Sequence, residues 1–118
     1  MRRLGFLLLL LASPVHASPI ALVCSGVWGF AGSQEKFEGI PAELDLEART
    51  FLPPGQVDPF PVTVMLIDEI TFGELKPPHH MSLGSIRRTT GDYFYTETAP
   101  DTPTYGQRGV CKPSKRLF

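Results

Sequence analysis

The chain has 118 residues, with eleven basic against twelve acidic side chains, two cysteines, 12 prolines and 11 glycines. That length accommodates one domain with a single modest core, and the near-neutral charge excludes the basic stripe with which a nucleic-acid binder displaces phosphate counterions. Dense proline and glycine punctuation leaves little room for long helices and suits short strands instead.

Residues 1–17 read as a secretory signal peptide. Arg2 and Arg3 supply the positive start, residues 4–12 the apolar stretch, and Val15-His16-Ala17 ends in small residues of the kind signal peptidase accepts. The apolar run of about nine residues is well short of the roughly 20 that span a bilayer. Ser13, Pro14 and His16 interrupt it, which disfavours an uncleaved anchor, and Val23 in front of Cys24 disfavours lipid attachment there. Cleavage before Ser18 leaves 101 of the 118 residues, 18–118, as one β-domain. Loss of Arg2 and Arg3 leaves nine basic against twelve acidic residues, a net charge of about −3. The expected location is secreted or periplasmic, with no membrane span after cleavage and no nucleic-acid partner. In that compartment disulfides persist. Cys24 and Cys111 lie 87 positions apart, unlike a C-x-x-C redox pair, so a structural bridge between them is expected.

A first strand is expected over residues 20–26, continuing through 27–31 past a bulge at Gly26, with Trp28 in the core or at its edge. Residues 42–51 alternate, Ala42, Leu44, Leu46 and Ala48 against Glu43, Asp45, Glu47 and Arg49, which predicts one half-buried antiparallel strand. Pro53-Pro54-Gly55 ends it. Residues 62–67 are apolar on both faces apart from Thr63 and read as the most central strand of a sheet. Residues 70–75 follow, either as a new strand after a tight turn or as the same strand bent by a bulge. After the loop at 76–80, strands are expected over 81–88 and 93–98, joined by a Thr89-Thr90-Gly91-Asp92 turn with glycine in the left-handed position. A proline-rich loop at 100–103 precedes a closing strand over 105–111. The whole is an all-β fold: a small antiparallel meander or barrel closed by one disulfide, Cys24 to Cys111, between first and last strands.

Candidate chemistry is sparse. His79 and His80 are adjacent, so on extended backbone they point apart and make a poor metal pair; no metal and no cofactor is expected. Asp68-Glu69 are adjacent too. None of the serines at 25, 33, 82, 85 and 114 lies in a G-x-S-x-G elbow, and no phosphate loop or dinucleotide fingerprint occurs. Arg87 and Arg88, with Tyr93 and Tyr95 on the partner strand, form the candidate binding face, as an exposed basic and aromatic patch.

The stretch Ile86-Arg87-Arg88-Thr89-Thr90-Gly91-Asp92-Tyr93, with Tyr105, Gly109-Val110-Cys111 and Pro113, and the early Cys24-Ser25-Gly26, resembles small uncharacterised exported bacterial β-sheet proteins that carry a signal peptide and one cysteine near each end. The resemblance implies a disulfide-closed envelope or secreted protein and no particular activity. The expected function is that of a non-enzymatic binding or structural module with a protein or small-molecule partner. Two alternatives stand beside it. One is an inhibitor of a secreted or host hydrolase, similar to lysozyme inhibitors, inserting residues 77–81 into a cleft. The other is a hydrolase using His79 or His80 with Asp68 or Glu69.

Overall fold

The computed structural model of the chain describes residues 19–114. The signal peptide expected at 1–17 and residues 115–118 lie outside the described residues. Eight antiparallel strands follow one another around a closed barrel: β1 (Ile20–Phe30), β2 (Ser33–Asp45), β3 (Thr50–Leu52), β4 (Phe60–Met65), β5 (Glu69–Lys76), β6 (His80–Arg87), β7 (Asp92–Thr98) and β8 (Tyr105–Pro113), with β8 pairing back onto β1. Among the described residues there is no helix.

Closure follows from the period-2 pattern. Leu22 and Cys24 of β1, Ala42 and Leu44 of β2, Ile70 and Phe72 of β5, Tyr93 and Tyr95 of β7 and Cys111 of β8 are all buried and all point inward. Phe72 sits at the centre, with ring centroids 4.5 Å from Phe51 and 6.2 Å from Tyr95. Trp28 is a core-edge residue, stacked on Phe37 at 4.3 Å.

The seam between β1 and β8 is where the two cysteine motifs meet. Cys24 faces Cys111, Ser25 faces Val110 and Gly26 faces Gly109, and the two sulfurs are bonded at 2.02 Å. A Cβ on Gly26 would run into the Arg108 carbonyl oxygen, and one on Gly109 into that of Ser25, so these backbones approach as only glycines permit. The expected bulge is present: the β1–β2 register shifts between Cys24 and Gly26, and the Gly39 N–H donates to Ser25 Oγ at 3.1 Å.

Two expectations need correction, and one strand start carried no sequence signal. The alternation over 42–51 is not one strand. It ends at Asp45, whose Oδ1 accepts the Ala48 N–H at 2.8 Å, and Arg49 at φ 58° reverses the chain into the short β3. The polar stretch from Ser33, too hydrophilic to show an apolar period, is the start of β2, because it pairs as the second arm of a hairpin with β1. Residues 62–67 are not a central strand, since a closed barrel has none: β4 ends at Met65, Val62 is buried, Val64 faces out, and Ile67 is 94% exposed in the turn. That turn, closed by Leu66 N–H donating to Glu69 O at 2.8 Å, makes β5 a separate strand. The β6–β7 turn forms as expected, with Gly91 at φ 79°.

Candidate binding pocket

The two ends of the barrel differ in kind. At one end the long connection between β3 and β4 folds inward, and Pro53 and Pro54 are fully buried there. Gln107 holds this plug: its Nε2 donates to Pro54 O at 2.8 Å and to the Tyr105 hydroxyl at 3.0 Å, while its Oε1 accepts from Tyr93 OH at 3.0 Å. Two donors and one acceptor are thereby satisfied, which is what allows a glutamine to be 3% exposed. The inward ring next to this plug is polar. Glu74, Ser82, Glu97 and Tyr105 are successive register partners across β5, β6, β7 and β8. His80 Nε2 lies 2.7 Å from Glu97 Oε1, and Tyr95 OH donates to Glu97 Oε2 at 2.9 Å.

Among the described residues, nothing plugs the opposite end. Its interior is aliphatic: Leu22, Leu44, Ile70 and Ile86 form the floor of a pocket of about 500 Å³, with Ile20, Leu46 and Pro113 on its walls and Cys111 beside them. A volume in this range is typical of small-molecule sites. Arg87, Arg88 and Lys112 stand on its lip with Thr89, Thr90 and Gly91, and among the described residues no acidic side chain lines it. Asp68 braces that lip. Its backbone oxygen accepts the Arg88 N–H at 2.6 Å, its Oδ1 accepts from Thr89 Oγ1 at 2.6 Å, and its Oδ2 lies 3.6 Å from Arg87 Nη1. These contacts tie the β4–β5 turn to the β6–β7 turn. Gly91 ties the latter to β8, donating to Arg87 O and accepting from Cys111 N, each at 2.9 Å.

The candidate face of Arg87, Arg88, Tyr93 and Tyr95 is therefore divided. Both arginines are exposed on the open lip, whereas Tyr93 and Tyr95 are interior residues, 3% and 0% exposed. The physical reason is the phase of β7: in Tyr93-Phe94-Tyr95 both faces are aromatic, and it is Phe94 that faces out. The pairing of His79 or His80 with Asp68 or Glu69 does not form either. Asp68 and Glu69 precede β5 or begin it, the histidines follow it, and the length of that strand separates the two groups. His80 opens β6 and meets Glu97 instead. The place of Lys112 on the lip and the aliphatic floor were not legible in the sequence, because these residues come from five strands that share one end only after closure.

Burial raises the hydroxyl pKa of all three tyrosines above the ordinary phenol value. For Tyr93 and Tyr95 it is the largest cause, with Tyr105 adding to the first and the Glu97 carboxylate to the second. A raised pKa in the fold means that the unfolded chain releases its protons first, so stability is intact below pH about 10 and falls as pH rises beyond it. Urea unfolding measured at several alkaline pH values, beside tyrosinate absorbance, checks this. Ionisation of the folded protein's tyrosines near the ordinary value, with no loss of stability, would contradict it.

Comparison of the chain with protein-family models, with curated proteins and with solved structures finds no match.

Proposed function

We propose that this chain is an exported, non-enzymatic barrel that binds a small apolar ligand in its open end. The observation that carries the proposal is the asymmetry of the two ends: one is filled by Pro53 and Pro54, and the other holds an aliphatic pocket of about 500 Å³. An eight-stranded barrel has an interior that side chains just fill or that holds one small ligand. Here the aromatic centre and the plug fill most of it, and the floor of the remaining space is lined by aliphatic groups that gain nothing from water. Export is supported by the leader-like residues 1–17 and by the Cys24–Cys111 bridge, which belongs to an oxidising compartment.

The test is binding of N-phenyl-1-naphthylamine, a neutral apolar fluorophore, to the protein exported from the full-length chain. Saturable one-site enhancement with a micromolar dissociation constant is expected. Leu46→Trp, which places an indole on the half-buried pocket wall, should weaken it at least several-fold. Absence of saturable binding up to about 100 μM would sink the proposal, since that corresponds to less than about 5.5 kcal/mol.

A further inference from the structure

We infer that the ligand is a single-chain anionic amphiphile, specifically a free fatty acid, whose alkyl chain occupies the aliphatic floor and whose carboxylate lies between Arg88 and Lys112. This rests on the binding role proposed above and adds the identity of the head group. Among the described residues, three cations and no acid line the pocket, although the chain as a whole is slightly acidic. The concentration of positive charge is therefore local to this lip.

The three cations are not equivalent. Arg87 is compensated by Asp68 at 3.6 Å. Arg88 and Lys112 form no ion pair among the described residues; the Arg88 side chain reaches only the Leu66 carbonyl oxygen, at 3.5 Å. Both belong to the same lip, because Gly91 is hydrogen-bonded to Arg87 on one side and to Cys111 on the other, next to Arg88 and Lys112 respectively. The hydroxyls of Thr89 and Thr90 already donate to Asp68 and Asp92, which leaves the two cations as the free head-group ligands. A cationic head would be repelled, and a neutral head would leave both charges unmatched. A guanidinium and an ammonium at an apolar mouth suit a carboxylate, which the first can engage with two parallel hydrogen bonds. The plugged end offers the opposite chemistry: Glu74, Glu97 and Asp58 line its surface groove with Lys76 and His80.

The experiment is displacement of bound N-phenyl-1-naphthylamine by decanoate, decanol and decyltrimethylammonium, which share a chain and differ in head group. Two lip pairs at the protein surface predict that decanoate displaces the probe about tenfold more tightly than decanol, with decyltrimethylammonium weakest. High salt, or the double variant Arg88→Gln with Lys112→Gln, should reduce that preference to less than about threefold. Equal displacement by all three heads of the unaltered protein, with the probe bound, overturns the fatty-acid assignment while leaving an apolar pocket. Failure of the probe to bind, with decanoate also silent by calorimetry, removes the binding role and this inference together. Both substituted residues are exposed, and the head-group and salt series on the unaltered protein give the answer independently of the variant.

Discussion

Replacing Cys24 and Cys111 together by alanine is expected to lower the unfolding free energy by about 4 to 5 kcal/mol, the entropy of closing a loop the length of most of the domain. The bridge spans 87 positions and joins residues that face each other across the β1–β8 seam. Every other neighbouring pair of strands is consecutive in the chain and is brought together by its own connection. The seam alone requires the two ends of the domain to meet, so it carries the largest chain-entropy cost, and the disulfide removes that cost from folding by imposing it on the unfolded chain. For a domain of this size the loss corresponds to a fall in Tm of roughly 20 to 30 °C. Urea unfolding of the unaltered and substituted proteins, compared at equal slope, measures it. A loss below about 1 kcal/mol would mean that the unfolded chain is already held compact by other contacts.

Phe72→Ala is expected to cost about 3 to 5 kcal/mol, whereas Phe94→Ala, also a strand phenylalanine, should cost less than about 1 kcal/mol. Phe72 is fully buried and packs on Phe51, Phe60 and Tyr95, three rings from three other strands. Its removal leaves a cavity that rigid barrel walls do not collapse to fill. Phe94 is 39% exposed on the outer surface. The same unfolding measurement separates the two residues, and comparable losses at both would show that the inward phase of β7 is misassigned.

This contrast also marks how far the sequence could be read. The class was legible: spacing between proline and glycine breaks, the Gly91 turn and the cysteine placement pointed to an antiparallel β-domain bridged between first and last strands. Strand phase was legible where one face is polar, as at Ala42 and Leu44. It was not legible at Tyr93-Phe94-Tyr95 or at residues 62–67, because period-2 alternation carries no information when both faces are apolar. The turn after Asp45 was hidden for the converse reason: the apolar alternation runs on through it by chance, while the reversal depends on a side-chain hydrogen bond and one left-handed residue. Of the candidate face, Arg87 and Arg88 reached the pocket lip and the two tyrosines entered the core.

Composition and local order thus determined the fold class, the bridge between the first and last strands, and the punctuation of the strands, since these depend on properties of each residue and its near neighbours. Closure of the barrel decided the rest. It set Gly26 against Gly109, drew Pro53 and Pro54 into one end, and gathered Leu22, Leu44, Ile70 and Ile86 beneath Arg88 and Lys112 at the other. Those residues are far apart in the chain, and what they form together is set by register around the barrel, a long-range property that no local pattern encodes.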